Sequence, residues 1–202
     1  DSNGKEYMFT GITGFVGADI PKIVQVIYKQ VMGNFRISGT ILLKYLGEES
    51  RVVVPEGITR IAGEAFAGNE AIDRVILPES IEEIGKGAFR DCLLLQTISF
   101  PERLWKIEAG AFENCVKLIR VQLPLKISRI EKRSFRHCVA LREVNFPERL
   151  REIEESAFYN CPSIKKLQFP EALIKIGALA FYQCSGLKEI ELKATIEYVG
   201  NL

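Results

Sequence analysis

Cys92, Cys115, Cys138, Cys161 and Cys184 stand 23 positions apart without exception. The same step links Pro55, Pro78, Pro101, Pro124, Pro147 and Pro170, and it links Phe66, Phe89, Phe112, Phe135, Phe158 and Phe181. Three residue types held in one register over six units leave a repeat array as the only economical architecture.

Numbered from its proline, one unit reads PERLWKIEAGAFENCVKLIRVQL, from Pro101 to Leu123. Apolar residues recur at positions 4, 7, 12, 18, 21 and 23, with Ala or Ser at 11. Position 7 is isoleucine in all six units, from Ile61 to Ile176. Positions 20 to 23 alternate outward and inward, which predicts a short strand. The next proline removes a ladder donor and ends it. The GAFENC section, with apolar residues three apart, predicts a single helical turn at the far corner. One unit has too few inward side chains to offset the entropy of ordering its own length, so it folds only by stacking on neighbours. With strands about 4.8 Å apart, six units make a solenoid on the order of 30 Å long.

The run A-F-x-x-C-x-x-L-x-x-I-x-L-P-x-x-I-x-x-I resembles the BspA-like class of leucine-rich repeats, and the likeness extends over residues 52–202. Asn69 takes the cysteine place in the first unit, and the fourth carries Leu125 and Ser134 where others have Glu and Ala. The resemblance implies an α/β, strand-rich solenoid coiled as a right-handed superhelix. It implies bacterial cell-surface or secreted proteins used for adhesion or partner recognition, with no catalytic residues.

Ahead of the array, residues 10–17 read TGITGFVG, a spacing that resembles the short-chain reductase signature. A dinucleotide fold needs several βαβ units and an acidic ribose ligand about 20 residues on. Here the stretch around position 37 reads FRISGTILL, without a carboxylate, and the repeats begin by Val52. The cofactor reading therefore fails, and the glycines read as connection. Asp19 suits an N-cap, Pro21 a first turn and Gly33 a C-terminal stop. Between them Ile20, Ile23, Val24, Ile27 and Val31 form one apolar stripe. We expect a helix at about 19–32 and a hairpin at about 35–46, together a cap spanning 1–51. The solenoid then runs over 52–202 as six units and a truncated seventh.

Lys and Arg total 27 against 26 Asp and Glu, a net charge of +1 that exerts no general pull on nucleic acid or anionic membrane. No apolar run approaches the ~20 residues of a membrane span. His137 is the single histidine, which excludes multi-histidine metal sites, and we expect no metal, cofactor or catalytic centre. The cysteine column reads as buried thiols facing turn backbone, because parallel side chains in a stack suit a disulfide torsion poorly.

Two outward surfaces are candidates for partner binding. Trp105, the only tryptophan, sits in variable position 5, with Arg103, Lys126, Arg149 and Arg151 in the same strip. The outward strand columns at positions 20 and 22 include Arg120, Gln122, Glu143 and Asn145. The expected function is a non-catalytic binding or adhesion module for a protein or glycan; the alternative is a structural protein stacking end to end. Ile196, Val199 and Gly200 reproduce Leu173, Ile176 and Gly177 one period later, so we also expect a longer parent array or self-association through the C-terminal end.

Overall fold

A computed structural model of the chain describes residues 33–193 and 195–201, and every element named there is a strand. Each unit contributes two strands rather than the single one its L-x-x-V-x-L pattern predicts. The longer strand includes positions 20 to 22: Arg51–Val53, Arg74–Ile76, Thr97–Ser99, Arg120–Gln122, Glu143–Asn145, Lys166–Phe169 and Glu189–Leu192. The shorter includes positions 6 and 7, from Arg60–Ile61 through Lys106–Ile107 to Tyr198–Val199. Where units pair, the pairing is parallel and in register, so columns stack on themselves; the long-strand ladder breaks after Thr97–Ser99 and after Glu143–Asn145, and the short-strand ladder after Lys106–Ile107. Val75 lies beside Ile98, Val121 beside Val144, and Ile153 beside Ile176. The molecule thus has a long-strand face and a short-strand face, with the core between them.

The predicted helical turn at the far corner is absent, and hydrogen bonding explains why. In a helix every N–H turns back four residues. Here alternate N–H groups leave the unit: Gly110, Phe112 and Asn114 donate to the carbonyls of Lys132, Ser134 and Arg136 in the next unit, each at 2.8 Å. The N–H groups between them, on Ala111, Glu113 and Cys115, close tight turns three residues back. Such a path needs left-handed residues at positions 10 and 14, and it has them in Gly110 (φ 64°) and Asn114 (φ 61°). Later units place Arg133, Ser156 and Leu179 at the first of these sites, so glycine is not required there. The stacked neighbour holds a conformation that an isolated L-residue would resist by about 1–2 kcal/mol.

Two columns dominate the interior. Phe66, Phe89, Phe112, Phe135, Phe158 and Phe181 stack with ring centroids 4.7 to 5.4 Å apart. Beside them each cysteine thiol donates to the carbonyl of the previous unit's phenylalanine, for example Cys115 to Phe89 at 3.2 Å and Cys138 to Phe112 at 3.3 Å. All five cysteines are free and buried, as their spacing predicts. Asn69, in the cysteine place of the first unit, accepts from the N–H groups of Ala71 and Ile72 and donates to the Gly47 carbonyl at 3.0 Å. Ser134 is buried in the alanine column, where its hydroxyl donates to the Glu131 carbonyl at 2.8 Å.

At the N-terminal side, Phe35–Ser38 and Ile41–Tyr45 form an antiparallel hairpin turning at Gly39, whose φ is +58°. Its second strand runs parallel to the first short strand, with Leu42 beside Ile61. That offset is 19 residues instead of 23, so this rung is four residues shorter. Tyr45 consequently takes the phenylalanine place, 5.3 Å above Phe66, with Phe35 against it at 5.0 Å. The hairpin therefore supplies the first layer of the core. The expected helix at about 19–32 and the glycine run at 11, 14 and 17 lie outside the described residues.

Candidate functional surface

Every residue singled out on the sequence as a binding candidate is solvent-exposed, but the candidates fall into two sets with different electrostatics. On the long-strand face, position 20 alternates in sign over the last four units, Arg120, Glu143, Lys166 and Glu189, after Arg51, Arg74 and Thr97 in the first three. Arg120 pairs with Glu143 at 2.7 Å, and Lys166 pairs with Glu189 at 3.5 Å. Position 22 beside it carries amides, with Gln122 next to Asn145 and Gln168 donating to Glu191 at 2.6 Å. A groove of about 410 Å³ opens where this face meets the proline turn, lined among others by Ser99, Glu102, Gln122 and Leu125.

The proline turn itself forms an edge between the two faces. From the second unit to the sixth the proline carbonyl accepts from the N–H of position 4, as from Leu104 at Pro101 and from Ile127 at Pro124, both 3.1 Å. Arg103, Lys126 and Arg149 occupy the turn tip in three successive units, and Trp105 and Arg151 follow two residues later. Their backbone is pinned to the neighbouring unit: Trp105 N–H donates to Glu82 at 3.0 Å and Arg151 N–H to Ser128 at 2.8 Å. The side chains are free. Trp105 is 49% exposed, with the Lys106 ammonium 6.0 Å from its ring centre. None of the four cations lies within ion-pair distance of a carboxylate among the described residues. Glu102, Glu148 and the exposed Leu125 flank them at position 2.

A second charged surface escaped the sequence reading. On the short-strand face the residues either side of the buried isoleucine point outward, giving Lys106-Ile107-Glu108, Arg129-Ile130-Glu131 and Glu152-Ile153-Glu154. Arg60, Lys106, Arg129 and Lys175 are all neutralised there. Glu154 is the most buried member, accepting from Arg129 at 2.6 Å and Lys175 at 2.7 Å. Burial opposes its charge, but the Lys175 hydrogen bond and the Arg129 charge more than offset this and hold its carboxyl below the ordinary value. This network satisfies itself and leaves nothing for a ligand.

The far corner holds His137 and two tyrosines. His137 sits at φ +60° with Nδ1 2.9 Å from the Asn160 amide nitrogen. Burial, helped by the Arg136 charge, pushes its pKa down, so the neutral ring accepts from Asn160. Tyr159 lies between the Arg136 guanidinium, 5.0 Å from its ring centre, and Tyr182 at 5.4 Å. The neighbouring thiols of Cys138 and Cys161 are spent on the backbone carbonyls of Phe112 and Phe135. Among the described residues no group of three His, Cys, Asp or Glu side chains is placed to hold a metal ion.

A family model for the BspA type leucine-rich repeat region matches residues 42–161 and 105–202 in six copies. No curated protein matches the chain. Among solved structures, the chain is similar to a leucine-rich cell-surface protein from Faecalibacterium prausnitzii, at 22% identity and a TM-score of 0.62. That match covers 79% of this chain and 52% of the other, so the chain spans about half the length of that relative. A leucine-rich repeat protein of T. pallidum matches at 28% identity and a TM-score of 0.55, covering 80% and 70%. The pneumococcal vaccine antigen PcpA matches at 23% identity and a TM-score of 0.51, covering 82% and 46%. The chain belongs to the BspA-type leucine-rich repeat family.

Proposed function

We propose that this BspA-type repeat chain is a non-catalytic binding module, displayed at a cell surface or secreted, that grips a protein or glycan along its proline-turn edge. The observation that carries the reading is Trp105, half exposed on a backbone held by neighbouring units and set among Arg103, Lys126, Arg149 and Arg151. An aromatic anchor on a rigid frame binds at low entropic cost, and cations without an intramolecular partner keep their full capacity for an external one. Arg120, Gln122, Glu143 and Asn145 form the adjoining floor, where the Arg120–Glu143 pair must open before either charge serves a ligand. Titrating the chain and Trp105→Ala over printed glycans and a panel of immobilised extracellular-matrix proteins tests this. A ligand bound by the native chain and weakened tenfold or more by Trp105→Ala supports the edge; if every ligand the native chain binds is bound equally by Trp105→Ala, the edge is refuted.

End-to-end stacking is the second reading. Ile190, Leu192 and Val199 are 60%, 52% and 54% exposed, although Val121, Leu123 and Ile153 in the same columns are buried. Light scattering over a concentration series, with and without Leu192→Ser, distinguishes an associating end from a monomer.

A further inference from the structure

Position 19, where the long strand leaves the corner, breaks the charge pattern of the columns around it. It holds Arg142, Lys165 and Lys188 in three successive units, and Lys117 stands two positions away one unit earlier. All four are exposed, and none has a carboxylate within ion-pair distance among the described residues. The backbone ties the column to neighbouring units at two of its steps: Arg142 N–H donates to Ile119 and Lys188 N–H to Lys165, both at 2.9 Å. The adjacent column places Arg120, Glu143, Lys166 and Glu189 in alternating sign and pairs them. Those two carboxylates are therefore already engaged, as is Glu191, which holds Lys166 and Gln168. Like charges directly opposite in a ladder repel. Over these units the array thus keeps at position 19 a run of like charge that it avoids one residue away, although Arg51 stands opposite Arg74 at position 20 nearer the hairpin.

We propose that this basic ridge is a binding site, separate from the proline-turn edge, for an acidic polysaccharide lying along the solenoid axis. Rungs about 4.8 Å apart offer one cation each to a chain whose sulfate or carboxylate groups recur along its length. The surface beside the ridge is built of small, neutral residues, Ala140, Ser163 and Gly186 at position 17 and Val139 and Pro162 at position 16. It gives a sugar ring room to lie close. None of these five residues is an aromatic platform of the kind that single-stranded nucleic acid stacks on, and the corner ring of Tyr159 is already engaged by Arg136 and Tyr182, so the polysaccharide is favoured.

The test uses the full chain, with immobilised heparin as probe, uncharged dextran and single-stranded poly(dT) as comparisons. A triple variant, Arg142→Ser, Lys165→Ser and Lys188→Ser, is set against a control removing three cations elsewhere, Arg36→Ser, Arg51→Ser and Lys86→Ser. Heparin binding should fall at least tenfold in the ridge variant and stay within about twofold in the control. The slope of log affinity against log salt should drop by roughly three, about one per lost cation. Without ligand, the ridge variant should unfold at the same temperature as the native chain or higher, because repulsion has been relieved. No heparin binding by the native chain, equal losses in both variants, tighter binding of poly(dT), or a ridge variant of lower thermal stability each overturns the proposal. The parallel Trp105→Ala arm leaves heparin binding intact if the two surfaces are independent, so each reading fails on its own evidence.

Discussion

Truncating one ring of the phenylalanine column should cost an amount set by its place in the stack. Phe112 is fully buried, lying 5.2 Å from Phe89 and 5.4 Å from Phe135 in near-parallel planes, with the Phe100 edge at 5.6 Å. Phe112→Ala removes a whole ring from a close-packed column that cannot collapse, because the corner backbone is bonded to both neighbouring units, Phe89 N–H to Ala111 and Phe112 N–H to Ser134, each at 2.8 Å. The base cost is about 3–5 kcal/mol. Lost aromatic pairing contributes within and somewhat beyond that range, at roughly 0.5–1.5 kcal/mol a pair. Phe181 is the contrast: it is only partly buried and makes one stack, with Phe158 at 5.4 Å, and one edge contact with Phe169. Phe181→Ala should cost about half as much, since part of the ring is already wet and fewer neighbours are orphaned. Urea titrations followed by circular dichroism measure both, with the midpoint converted at the native slope. Equal losses at the two positions, or less than about 1.5 kcal/mol at Phe112, would refute the column as the main source of stability.

The five thiols should resist an aromatic disulfide reagent in the folded chain and all react once denatured, without prior reduction. Burial pushes Cys92 up to about 12 and Cys115 and Cys138 well above the ordinary thiol value, so the reactive thiolate is suppressed; Cys184, the least buried, should react first. Recovery of fewer than five thiols contradicts this. Glu154 should make stability acid-sensitive. Its folded pKa lies below that of the unfolded chain, so its contribution is complete above the ordinary carboxylate range and is lost as pH falls through the folded value. Thermal midpoints between pH 7 and pH 3 should decline less steeply in Glu154→Gln than in the native chain; parallel profiles argue against the network.

The period made the interior legible from sequence, because a column of one residue type reports its own environment six times over. The phenylalanine and cysteine columns were read in this way, whereas the hairpin was read from two short apolar runs around Ser38-Gly39. The short strands were not. Two residues long, with one isoleucine between charges, Glu83-Ile84 or Lys175-Ile176 shows no alternation that differs from a loop. The ion network on that face stayed hidden for the same reason. The corner was misread because its left-handed sites are marked by glycine only in part; Asp91, His137 and Leu179 adopt the same conformation without announcing it. Nothing in the sequence separated the paired cations of position 20 from the unpaired ones of position 19, since both need the strand register to define their neighbours.

The alternating sign along position 20 has a bearing on how such a chain avoids tangling. Because every inward column repeats, a nascent array could leave out one unit as a loop and still match isoleucine to isoleucine and ring to ring. The core is blind to that error. The outward column is not: with one unit omitted, Arg120 would stand opposite Lys166, or Glu143 opposite Glu189, trading the pairs seen at 2.7 and 3.5 Å for like-charge contacts. At position 6 the same omission would set Arg129 against Lys175 in place of Glu152. Over these four units the surface charges therefore act as a parity check on the order of assembly, and reversing the charge at Glu143 and Glu189 alone should promote misassembly even though the core is untouched.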